Sequence, residues 1–155
     1  MTALRNRKGF TIIELMTVLA LIAILASLAL LKYQDLRRAA VATKVASELN
    51  AVKLAGYSYW ADNQAWPSDG VAGVVPGTLA PHLPTGFEFS NTGWRYTLEW
   101  DNFGQVGGAY LIGVSVATTD PKLMRKLEQY LGTASPMFSF GGKLTYVIQA
   151  PGGGY

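Results

Sequence analysis

Residues 10–31 form an almost wholly apolar run of 22, and no Gly or Pro occurs between Gly9 and Gly56. Arg5, Arg7 and Lys8 stand immediately before the run, in a segment without acids. As a helix the run spans roughly 33 Å, about one hydrocarbon core. A secretory signal peptide is the competing reading. Its apolar core is shorter, about 7–15 residues, although the "ASLA" at residues 26–29 offers the small residues of such a cut site. Length weighs against it, and so does Glu14, a carboxylate inside the run. Charge does not orient the span, because Lys32, Arg37 and Arg38 follow it much as Arg5, Arg7 and Lys8 precede it.

The helical pattern continues past the run. Val41, Val45, Leu49, Val52, Gly56 and Tyr59 recur at spacings of three and four, with Arg37, Arg38, Lys44, Glu48 and Lys53 among them. That periodicity predicts an amphipathic continuation over residues 32–60 whose apolar stripe covers a domain. The expectation is one helix from about Phe10 to Trp60, ended by "ADN" at residues 61–63, with Gly56 weakening its last turns.

Residues 61–93 carry Pro67, Pro76, Pro81 and Pro84 and read as a connecting region. Within it, residues 77–84 predict one short helical turn anchored by Leu79 and Leu83. The period then changes to two. Trp94, Tyr96, Leu98 and Trp100 alternate with Arg95, Thr97 and Glu99, a half-buried strand. Residues 101–108 are expected to be a loop, residues 109–117 a more central strand and residues 143–149 a third. Asp120 is a candidate N-cap with Pro121 at N1. Leu123, Leu127, Tyr130 and Leu131 form one face, and Gly132 follows the helix end. Residues 94–155 thus predict an antiparallel sheet with an inserted helix and a flexible C-terminal tail, "PGGGY". The class is α+β: a long helix laid on a small antiparallel sheet of about three to four strands, with a short additional helix.

Composition narrows the function classes. The formal charge of +3 sits in Arg5, Arg7 and Lys8, which leaves ten residues of each sign elsewhere. The basic balance therefore belongs to the N-terminal leader and is no nucleic-acid footprint on the domain. With no cysteine, disulfides, thiolate nucleophiles and Cys-ligated metals are excluded. The one histidine, His82, has no nucleophile motif beside it, and phosphate-binding, dinucleotide-binding and zinc-protease motifs are absent. Asp62, Asp69, Asp101 and Asp120 fall in expected loops or caps. Asp101 and Asn102 are too few for a calcium ion needing 6–8 oxygens. No catalytic, cofactor or metal residue is assigned.

The order Lys8, Gly9, Phe10, three residues, Glu14 and a long apolar helix resembles the leader of type IV prepilins and type II secretion pseudopilins. The resemblance implies a pilin-like fold, with residues 1–9 as a leader peptide cleaved between Gly9 and Phe10 by a prepilin peptidase. It implies N-methylation of the new Phe10 amine and a cytoplasmic N-terminus with an exported C-terminal domain. It also implies residues 10–31 as a transmembrane and assembly helix, and a filament, an assembly platform and the inner membrane as partners, with no nucleic acid expected. Glycine at the cut lets the backbone enter a narrow protease cleft.

Glu14 has a physical account beside this one. A charge near the bilayer centre costs ~2.5–3.5 kcal/mol on insertion scales. At the first turn of the helix the dipole offsets ~0.3–1 kcal/mol of it. The ammonium created at Phe10, on a neighbouring helix or on its own, would complete the offset, and in the family this Glu is held to guide subunit addition. The alternative is a capping acid on an ordinary signal anchor. Ala20, Ala23, Ala26 and Ala29 recur every three residues, which suits close helix packing or a plain span alike.

Many relatives carry Pro where this chain has Leu31, and some carry Gly where it has Ala23, so partial melting of the helix does not carry over. Trp66-Pro67 matches the family's aromatic-Pro pair after the long helix and reads as a plug over the helix–sheet junction. Among filament systems, a type II secretion pseudopilin is the first reading, and a type IV major or minor pilin for adhesion, motility or DNA uptake is the alternative. A DNA-binding pilin would need a basic strip. Lys122, Arg125 and Lys126 are the one cluster, diluted by Glu128. A membrane-anchored periplasmic enzyme is the reading from another class.

Overall fold

A computed structural model describes residues 9–106, 109–132, 135–150 and 153–154. The chain divides into two compact units, Met1–Arg37 and Arg38–Tyr155. The expected leader lies outside the described residues except for Gly9.

Helix α1 (Ile12–Asn63) runs through both units without a break at Ala23 or Leu31. In the first unit every described residue is exposed, Phe10, Leu15, Ile22 and Leu31 included. A helix that is apolar all round has no polar side to give to water, so this half needs lipid or other helices around it. Among the described residues it contains the one stretch long and apolar enough to cross a membrane.

The second unit is the α+β domain. Its sheet comprises β1 (Ser90–Asn91), β2 (Tyr96–Val106), β3 (Ala109–Thr118), β4 (Met137–Phe140), β5 (Lys143–Ala150) and β6 (Gly153–Gly154), all pairing antiparallel. The order is β1-β2-β3-β5-β4, and β6 pairs with the end of β5. Helix α2 (Pro121–Leu131) joins β3 to β4.

Each strand's alternation sends one set of side chains to α1. Tyr96, Leu98 and Trp100 of β2, Val114 and Val116 of β3, and Leu144, Tyr146 and Ile148 of β5 meet Val41, Ala42, Val45, Ala46, Leu49, Val52 and Ala55 in one core. Tyr96 donates its hydroxyl to Glu48 Oε2 at 2.7 Å, and Tyr57 donates to the Ile148 carbonyl at 3.0 Å. Helix and sheet are therefore joined at the edges of the apolar contact as well as through it. The turn expected at residues 77–84 is a single 3-10 turn, Ala80–His82, held down by the buried Leu79 and Leu83.

Four details differ from the sequence reading. The loop expected at residues 101–108 is strand as far as Val106, with the pairing shifted between Asn102 and Gln105. A bulge there absorbs Gly104, whose φ is +75°, and lets turn-type residues remain in a strand. Residues 107–108 lie outside the described residues. The short strands β1, β4 and β6 bring the count above the three or four expected. Gly153 and Gly154, in the segment expected as a tail, pair with Ala150 and Gln149. On α2, Leu123 and Leu127 are buried as the periodicity predicts, but Tyr130 is 57% exposed.

Gly56 has a different role from the weak point expected of it. A Cβ there would lie 2.6 Å from the Trp100 ring. The bare backbone is what admits the indole against α1.

Candidate functional site

The first turn of α1 gathers the residues singled out by sequence. Thr11 precedes the helix and Glu14 is its third residue. The Thr11 backbone N–H donates to Glu14 Oε2 at 2.9 Å, and the Thr11 hydroxyl donates to the same oxygen at 2.7 Å. In return the Glu14 N–H donates to Thr11 Oγ1 at 3.3 Å. This is a capping box, in which two backbone donors that the helix leaves unpaired are satisfied reciprocally. Gly9 and Phe10 precede it in exposed chain outside the helix.

The geometry changes what Glu14 can do. One carboxylate oxygen is occupied by Thr11. Oε1 accepts no hydrogen bond among the described residues. The carboxylate is thus held in place by a local contact while one oxygen faces outward for a donor. Thr11 was overlooked in the sequence reading, although the spacing Thr-x-x-Glu at the head of an apolar run is itself the signal of a capping box.

The other candidates lie in the second unit. His82 does acquire neighbours. Ser58 Oγ is 3.0 Å and Asp62 Oδ2 is 3.9 Å from the same ring nitrogen, Nδ1. A serine–histidine–acid relay needs the two partners on opposite nitrogens. This trio instead pins the 3-10 turn to the last turns of α1, with Tyr59 edge-on to the ring at 5.8 Å.

Trp66 packs between Tyr57 (5.7 Å), Trp60 (6.2 Å) and Trp100 (6.4 Å). The Pro67 carbonyl accepts from Trp100 Nε1 at 3.4 Å and from Asn102 Nδ2 at 2.7 Å. These contacts match the plug over the helix–sheet junction.

Asp101 lies on the face of the sheet opposite α1. The buried Ser115 hydroxyl donates to it, and Thr145 Oγ1 lies 2.7 Å from Ser115 Oγ. With its one proton committed to Asp101, Ser115 accepts from Thr145. Burial pushes the Asp101 carboxyl above its ordinary 3.8, the Ser115 bond opposes this, and Glu99 and Asp69 add to the rise. Asp69 itself accepts from the Asn102 N–H at 2.8 Å. Among the described residues no group of three or more His, Cys, Asp or Glu side chains is placed to hold a metal.

Residues 4–30 match the family model described as the prokaryotic N-terminal methylation motif. The chain is also similar to the fimbrial protein EcpC of Eikenella corrodens, at 38% identity over 73 residues, 47% of this chain and 48% of that protein. The chain therefore spans about half the length of the curated relative it matches. No solved structure matches.

Proposed function

We propose that this chain is a type IV pilin-like filament subunit, cut between Gly9 and Phe10, methylated on the Phe10 amine and assembled through its N-terminal helix. The observation that carries the reading is the pairing of two features. The first half of the helix is apolar and, among the described residues, exposed, and at its head stands a carboxylate with one oxygen capped and one open. Cutting after Gly9 places an ammonium one residue before Thr11. In a bundle of such helices, a neighbour's ammonium can reach Oε1 while Thr11 keeps Oε2. A charge-assisted bond of this kind is about twice as strong as a neutral one, and it is available only to cleaved chains.

On this reading the uncut protein waits as a single-pass inner-membrane protein with its C-terminal domain exported. The prepilin peptidase and the assembly platform are its partners. A type II secretion pseudopilus is the first assignment for the filament, since the domain lacks the cysteine staple frequent in pilins. The partial match to a fimbrial protein favours a second assignment, a type IV pilus. The bonds of Tyr96 to Glu48 and of Tyr57 to Ile148 join helix to sheet, which suits a structural part.

The test is the N-terminal mass of the protein taken from its native cell. A mature chain starting at Phe10 and carrying one added methyl is expected. Any other start excludes the proposed cut.

A further inference from the structure

Helix α2 has two unlike faces. Leu123 and Leu127 are in the core, whereas Lys122, Arg125, Lys126 and Gln129 are exposed at spacings that place them on one stripe. Among the described residues, none of these three cations has an ion-pair partner. The nearby acids do not neutralise them: Asp120 is engaged by Arg38, and Glu128 is half-buried on the flank. Tyr130 extends the exposed face. Its ring, apolar with a polar tip, is of the kind enriched at the headgroup level of membranes.

The position of this face along the chain is fixed by one bond. Arg38 Nε donates to Asp120 Oδ2 at 2.9 Å, so the first turn of α2 is tied to α1 at Arg38. Arg38 follows Leu31 by seven residues, a tether of at most about 25 Å even when fully extended. The headgroup layer reaches roughly 5–8 Å beyond the hydrocarbon, and the Debye length adds about 8 Å at physiological salt. The basic stripe begins two residues after Asp120.

We propose that, before assembly, α2 docks through Lys122, Arg125 and Lys126 on the anionic phospholipid surface of the membrane that anchors the chain. The proposal rests on reading residues 10–31 as a membrane span. Charge complementarity and the short tether commit it to lipid. The three cations cover only about 6 Å of helix, too little for the six to ten phosphates that a typical DNA binder neutralises. Lipid headgroups, being mobile, can gather round so compact a cluster. Each basic residue at such a surface raises partitioning about five-fold, and three together about a hundred-fold. Extraction of the subunit into a filament would release this contact.

The absence of cysteine makes the test direct. Gln129→Cys supplies a single thiol for a fluorescent label in the full chain, reconstituted into vesicles of phosphatidylcholine alone or mixed with phosphatidylglycerol. A collisional quencher on the headgroups reports approach of α2. Stronger quenching in the phosphatidylglycerol vesicles is expected. It should fall to the phosphatidylcholine level in about 0.5 M salt, where screening is short-ranged, and also in the Lys122→Glu, Arg125→Glu, Lys126→Glu triple variant. Equal quenching in the two vesicle types overturns the proposal, as does a folded triple variant that behaves like the parent. Should the variant fail to fold, the lipid and salt comparisons on the parent still decide.

Flotation separates this from the underlying reading. A chain that floats with both vesicles but shows no lipid-dependent quenching retains its anchor and loses the docking. A chain that floats with neither loses both. A label response to duplex DNA larger than that to phosphatidylglycerol reassigns the face to nucleic acid and overturns the proposal.

Discussion

Gly56 and Trp100 occupy what would otherwise be the same space: a methyl group on the one would sit 2.6 Å from the ring of the other. Trp100 is fully buried, with Trp66 against it and its Nε1 donating to Pro67. Gly56→Ala sets two effects against each other. Helix propensity favours Ala by about 1 kcal/mol, while overpacking a well-filled core costs about 1–3 kcal/mol. Because the indole is held on several sides, the second effect should win. We expect net destabilisation of up to about 2 kcal/mol, measured by urea unfolding of the full chain in detergent with tryptophan fluorescence as the probe. An unchanged or raised midpoint would show that Trp100 has room to retreat.

Two aspartates are expected to respond to acid in opposite senses. The carboxyl of Asp101 is raised by burial, so the folded state disfavours its charge; this cost is present at neutral pH and is relieved as pH falls through the folded pKa toward 3.8. Asp120 is lowered, first by the bond from Arg38 and then, against partial burial, by the Lys122 and Leu123 N–H groups. Its contribution is present above 3.8 and is lost as pH falls through the lowered value. Asp101→Asn should therefore be no less stable than the parent at pH 7 and should lose ground to it toward pH 4. Asp120→Ala should be less stable at pH 7 by about 1 kcal/mol for the cap, and the deficit should shrink in acid. Unfolding midpoints of the three proteins across pH 7 to 3 check both signs, and parallel curves would refute the assignments.

At the head of α1, Glu14 and Thr11 can be separated by substitution. Glu14→Ala should leave cutting after Gly9 largely intact and impair incorporation into filaments. Thr11→Val keeps the shape but removes the hydroxyl, which leaves the carboxylate only the backbone N–H of residue 11 and loses part of a cap worth about 1 kcal/mol. A milder assembly defect is expected of it. The measurements are N-terminal mass for cutting and the amount of subunit in sheared filaments for assembly. Normal filaments from Glu14→Ala would remove the proposed ion pair.

How far the sequence reaches depends on how local each signal is. The stripe Val41, Val45, Leu49, Val52 needs only helical geometry and is found buried as expected. The Asp120-Pro121 start of α2 is equally local, and Asp120 caps it through bonds of 2.9 and 3.3 Å. The outward half of β2 reads as a loop in sequence because Asp101, Asn102 and Gly104 are turn residues. They remain in the strand because Asp69, Pro67 and β3 supply partners from distant parts of the chain. Gly56 misled for the same reason, since its purpose is a ring 44 positions away in the sequence. At the candidate site the Gly9, Phe10 and Glu14 pattern is local and legible. Thr11 is equally legible as a cap through its spacing of three from Glu14.

Past its two-residue pairing with β1, the outer side of β2 bears on life in a crowd of identical molecules. Asn102 gives its N–H to Asp69, Trp100 and Leu98 give their carbonyls to Gly70 and Gly73, and the Leu98 N–H goes to Phe89. A strand lacking these partners would present a ladder of unsatisfied groups to every neighbour. In any filament the neighbours are copies of the same strand at very high local concentration. By spending those groups on its own connecting segment, the domain closes this side to strand addition, so subunits can be crowded together without their sheets fusing along it.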